Sequence, residues 1–174
     1  MSGRRRILAL AIGAALVMAV APTGDAQVAK GPFQFHSLTP CRAVDTRIST
    51  QSQGGYGPIL TTKVERKFPI QGNCNVPVGA TAVALNVTVV TPTNQGSLTL
   101  YPAGIAEPLV STITFPLGTY ALANGAIVPL ADQSLFPKDL AAKFTLCDGT
   151  TLPCQRVLNN GQAHLALDVT GYFK

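Results

Sequence analysis

Apolar and polar side chains alternate one by one over several stretches of this chain, the period of a β-strand half buried against a core. Residues 81–90 show it most clearly: Val83, Leu85, Val87 and Val89 fall on one side, Ala82, Ala84, Asn86 and Thr88 on the other. Pro92 ends that run. Asn94, Gln95 and Gly96 then read as a turn, and Leu98 and Leu100 alternate with Ser97, Thr99 and Tyr101. Residues 81–101 therefore predict a β-hairpin with an exposed tip. Further strands are expected at residues 60–70, with Val64, Phe68 and Ile70 inward, at residues 109–115, with Ile113 and Phe115 inward, and at residues 125–130. Residues 143–147 and 155–158 read as two arms flanking a loop. Residues 163–173 close the chain, with Leu165, Leu167 and Val169 set against His164, Ala166 and Asp168.

Outside an N-terminal apolar run no stretch carries the 3.6-residue stripe of an amphipathic helix, and only residues 132–142 suit a short helical turn. About eight or nine short strands, separated by Gly, Pro and Asn, predict an all-β antiparallel two-sheet β-sandwich; a closed barrel is the alternative. Composition agrees with that class. Of 174 residues 47% are hydrophobic and only 12% charged. Such a chain lacks the charged outer faces of a helical bundle and is too apolar for a disordered tail.

Arg4, Arg5 and Arg6 precede an unbroken apolar stretch over residues 7–21, and small residues follow at Gly24 and Ala26. This is the pattern of a secretory signal peptide over residues 1–26, cut after Ala26. The apolar run falls short of the roughly 20 residues that span a bilayer, so no membrane contact is expected after cleavage. Residues 27–32 then form a loose leader and residues 33–174 a single domain. Cleavage takes three arginines and Asp25 from a chain of net charge +5, leaving +3. The remaining cations are scattered, so nucleic acid is not an expected partner.

Export changes the meaning of the four cysteines. In an oxidising compartment an even number points to disulfides. Cys147 and Cys154 bracket the turn signal Asp148-Gly149, which suggests a locally closed loop, and by elimination Cys41 pairs with Cys74. The two histidines, His36 and His164, lie at no ligand-like spacing from these cysteines, so neither a metal nor another cofactor is expected.

Five segments together resemble one family: LTPCRAVDTR at 38–47, GNCNVP at 72–77, AVALNVTVVTPT at 82–93, GSLTLYP at 96–102 and DVTGYF at 168–173. It is a family of secreted bacterial domains, common in actinobacteria and acidobacteria, for which no activity is established. The resemblance implies a Cys41–Cys74 bridge, treats the Cys147/Cys154 loop as an addition, and favours a binding or surface role over catalysis. Three positions depart from the family pattern. Asn75 stands where relatives often carry Gly, which a left-handed backbone would tolerate, and Thr114 and Gly125 stand where Asn is expected.

Enzyme chemistry finds little material in these residues. His164 and Asp168 share a strand face, but four residues along a strand is roughly 13 Å, too far for a direct hydrogen bond. A hydrolase is thus the weakest of three functional classes. Arg42, Asp45, Arg47 and Asp168 form the most informative charged set, read as a clasp tying the start of the domain to its end, or else as an anion site lined by Arg42 and Arg47. Tyr56, in Gly54-Gly-Tyr-Gly57, is the expected exposed ligand contact. Phe33 and Phe35 could add to a sheet edge in cis, or in trans on a neighbour. The sequence thus predicts a secreted, non-catalytic module that binds an extracellular polymer or protein partner at the cell surface. The alternative is a self-assembling subunit of a filament or surface layer.

Overall fold

The structure, a computed structural model, describes residues 31–49, 54–149, 154 and 156–174. The signal-peptide reading and residues 27–30 of the leader lie outside the described residues. Ten strands follow in order: β1 (Phe35–Asp45), β2 (Leu60–Thr61), β3 (Arg66–Phe68), β4 (Ala82–Val90), β5 (Gly96–Pro102), β6 (Ile113–Phe115), β7 (Ala121–Pro129), β8 (Leu140–Asp148), β9 (Arg156–Val157) and β10 (Gln162–Phe173). The fold is all-β. One sheet runs β1-β10-β4-β7, with β2 continuing alongside β10; the other runs β3-β8-β5-β6, with β9 alongside β8. Every strand pairing is antiparallel. The two sheets pack against each other as a β-sandwich.

One apolar core lies between the sheets. Val83, Leu85, Val87 and Val89 of β4 and Leu165, Leu167 and Val169 of β10 supply one side, as their alternation requires. Phe68, Leu98, Phe115, Phe144 and Leu146 supply the other. Phe115 and Phe144 meet edge to face, ring centres 6.0 Å apart, the arrangement that ring quadrupoles favour.

The expected 81–101 hairpin does not form. β4 and β5 lie in different sheets, and the chain between them crosses the core instead of folding back. Thr91 takes a left-handed φ of 43°, and Thr93 is tied to Gln162 of β10 by a backbone bond of 2.9 Å and a side-chain bond of 3.0 Å. Gly96 then lets β5 run against β8, since a Cβ there would stand 2.9 Å from Leu146 Cα. Alternation along a strand says which side chains face inward; it does not say which strand lies alongside.

Other differences have local causes. β1 breaks its own period with two register shifts, between Ser37 and Cys41 and between Arg42 and Val44, and carries Pro40, so no simple alternation announces it. The expected strand over residues 60–70 is divided by Lys63, whose φ is 65°. That turn resets the phase and leaves Val64 52% exposed instead of inward. Residues 109–115 shorten to β6, and β7 begins four residues before the expected start. Asn124-Gly125, a dipeptide common in turns, lies within β7, opposite Val87 and Asn86. The helical turn survives as a single turn in which the Asp132 carbonyl accepts from the Leu135 and Phe136 N–H groups.

Both disulfides have the expected pairing, Cys41–Cys74 and Cys147–Cys154. Asn75 sits at φ 60°, the left-handed conformation that a Gly-preferring position requires. Among the described residues no helix is long and apolar enough to cross a membrane. Together with the disulfides this is compatible with an extracellular protein.

Candidate functional site

β1 and β10 set Arg42 directly opposite Asp168, so the charged set of the sequence is brought together by strand pairing. Arg42 donates to Asp168 through Nε and through Nη2, the latter at 3.1 Å, and to Asp45 through Nη1 at 2.7 Å. Arg47 donates to Asp45 three times: backbone N at 3.0 Å, Nε at 2.9 Å and Nη2 at 2.6 Å. Asp45 itself is 1% exposed. The Arg47 hydrogen bonds outweigh the desolvation of this carboxylate and hold its pKa down at about 2. Both guanidinium groups are in turn raised, chiefly by their carboxylate hydrogen bonds. All three nitrogens of the Arg42 fork are thereby used within the fold. The geometry is that of a clasp between the first strand and the last.

The remaining sequence candidates are engaged internally. His164 Nδ1 lies 3.2 Å from Thr46 Oγ1, while Asp168 faces Arg42, so the histidine and the acid have separate partners. Phe35 pairs in cis with Phe173, the two rings 5.2 Å apart, and Gln34 and Lys174 exchange backbone bonds of 3.0 and 3.1 Å. Phe33, at 37% exposed, precedes that ladder. Tyr56 is not an exposed tip: its ring meets Phe68 edge-on at 5.6 Å, at the margin of the core. Its carbonyl is held by Arg66, whose guanidinium also lies over the Phe68 ring.

A different region gathers the surface features that suit recognition. Of the large hydrophobic side chains left exposed, Leu109, Val110, Leu117, Tyr120, Leu122 and Ile127 all fall within residues 109–127, the stretch that carries β6 and the start of β7, with Leu122 on the inner face of β7 and Ile127 on its outer face. Leu109 is fully exposed and Tyr120 is 79% exposed. Two surface grooves lie here as well. One, of about 260 Å³, runs past Thr99, Glu107, Leu109, Val110 and Thr145; the other, of about 350 Å³, opens between β6 and β7 past Ile113, Leu122 and Asn124. β6 has three residues against nine in β7, so the second sheet stops short and the inward side of Leu122 stays uncovered. Glu107 is fixed beside the first groove by Lys143, at 2.7 Å.

The sequence expectations missed this surface. Leu109 and Val110 read as the start of a strand, and Tyr120 carried no local signal. Among the described residues no group of His, Cys, Asp and Glu is placed to hold a metal ion. Compared with protein-family models, characterised proteins and solved structures, the chain matches none.

Proposed function

We propose that this is a secreted, non-catalytic β-sandwich module that binds an extracellular polymer or protein partner through the face around β6 and β7. The observation that carries the reading is that exposed Leu109 and Val110 line one surface groove and exposed Leu122 lines another, both beside β6 and β7. Exposed apolar side chains lining a groove rimmed by polar residues, here Leu109 and Val110 with Ser97, Thr99, Ser111 and Thr145, are what an interaction site presents. The clasp, the bridges and Tyr56 serve stability in this reading. Strand addition in trans through Phe33 and Phe35 is less favoured, because it must first displace the pairing between Phe35 and Phe173.

The test is co-sedimentation of the secreted chain with insoluble cell-wall peptidoglycan and with defined polysaccharides, alongside the double variant Leu109→Asp, Val110→Asp. These side chains are 106% and 69% exposed, so the variant keeps its fold. Binding that falls at least about tenfold in the variant supports the reading; binding to a probe that is unchanged by the variant rejects this face.

A further inference from the structure

We propose that β7 is a self-complementary sheet edge through which two copies of this chain pair, antiparallel and about a two-fold axis at Asn124. The inference rests on the reading of this face as an interaction surface and names its partner at the edge as a second copy. Every other edge is blunted by a recognisable device. β1 has two register shifts, Pro40, Arg42 and a disulfide; β3 is Arg66-Lys67-Phe68; β6 is three residues long, and β2 and β9 are two each. β7 is long and neutral: nine residues, ALANGAIVP, with no charge, no register shift against β4, and its one proline, Pro129, at the last position. Natural sheets protect long neutral edges, so an unprotected one marks a pairing surface.

The hydrogen-bond phase of that edge follows from its two ends. Thr91 N–H donates to the Tyr120 carbonyl, and Leu130 N–H donates to Thr81. Even-numbered residues of this stretch therefore bond to β4, and Ala121, Ala123, Gly125 and Ile127 turn their N–H and C=O outward. Pro129 falls in the outward phase too, where its missing N–H costs nothing.

Set against a second copy, the outward residues match in pairs. Ala121 meets Ile127 and Ala123 meets Gly125, so all four outward N–H groups of each copy find a carbonyl. On the outer face the large Ile127 lies against the small Ala121. On the inner face Leu122 lies against Ala126, covering a side chain left 37% exposed, and Asn124 meets Asn124 on the axis. The Asn124 Nδ2 already donates to the Thr112 carbonyl at 3.0 Å, which fixes the side chain on the inner face. A Cβ at Gly125 would meet nothing within 4 Å, so the outer face beside the edge is open there. The edge also has no charge to select an oppositely charged partner, and two copies meet on it without repulsion.

The test is sedimentation equilibrium of the secreted chain, without ligand, from micromolar to millimolar, with Ala123→Pro and Gly125→Lys. Ala123→Pro removes an outward N–H and no bond to β4. Gly125→Lys fills open space on the outer face and places like charges close across the axis. The expected result is a concentration-dependent wild-type dimer, and variants that melt like wild type with a dimer Kd at least about tenfold weaker. Amide exchange at Ala123, Gly125 and Ile127 should slow on dimerisation. A wild-type chain that stays monomeric at millimolar concentration overturns the inference, as does a dimer that Gly125→Lys leaves unchanged. Polymer binding that depends on Leu109 and Val110 would survive either result, so the two readings fail separately.

Discussion

Replacing Asp45 by Asn keeps the size of a buried side chain and removes its charge, which isolates the electrostatic part of the clasp. Two routes give the magnitude. Lowering the carboxyl from 3.8 to about 2 corresponds to roughly 2.5 kcal/mol, at about 1.36 kcal/mol per pKa unit. Alternatively, an Asn amide at the Oδ2 position turns N–H toward Arg42 Nη1 and Arg47 Nη2, losing two charge-assisted bonds of 2.7 and 2.6 Å. At about 1.5 kcal/mol or more for each, that gives about 3 kcal/mol. Arg42 and Arg47 are partly exposed, at 38% and 47%, and solvent screening keeps the effect near the lower figure. Because the folded carboxyl is more acidic than the unfolded one, its contribution is complete above about pH 4 and is lost as the pH falls toward 2.

The assay is urea unfolding of wild type and Asp45→Asn, bridges intact, from pH 7 down to pH 2. The expected gap is about 2.5 kcal/mol at pH 7, constant down to about pH 4 and shrinking below it. A gap under about 1 kcal/mol at pH 7, or one that does not narrow below pH 4, would refute the reasoning.

Two further outcomes test the core and the bridges. Phe144→Ala opens a cavity beneath Phe115 at a fully buried position and should cost about 3–5 kcal/mol in chemical denaturation; a loss below about 1.5 kcal/mol would show a core that collapses around the gap. The bridges close loops of sequence separation 33 and 7, so serine replacement of the Cys41–Cys74 pair should cost about 4 kcal/mol against about 2.5 kcal/mol for Cys147–Cys154. An equal or reversed order of melting temperatures would contradict chain-entropy control.

Much of the architecture was legible because its signals are local. The alternation of Val83, Leu85, Val87 and Val89 and of Leu165, Leu167 and Val169 assigned strands and inward faces, since a strand's period of two is set by its own backbone. Asp148-Gly149 announced the short bridge for the same reason. The charged set was legible by residue type: few carboxylates and guanidiniums stand near the first bridge, and such groups must find each other when buried.

Strand neighbours were not legible. β10 lies between β1 and β4, more than a hundred residues away along the chain from the first and over seventy from the second. Pairing at that distance is chosen by the whole core, and adjacency in sequence misled at β4 and β5. The exposed face was hidden for the same reason. Leu122 and Ile127 look like core residues in an apolar run; Leu122 is exposed because β7 is an edge that β6 is too short to cover, and Ile127 because it lies on the outer face of its sheet. From its residues alone the chain reads as a β-sandwich, with the inward faces of its longest strands and the closure of its bridges, because backbone period and turn chemistry act over a few residues. Which strands become edges was set by the assembled sheets, because an edge is defined by the strand that is missing beside it.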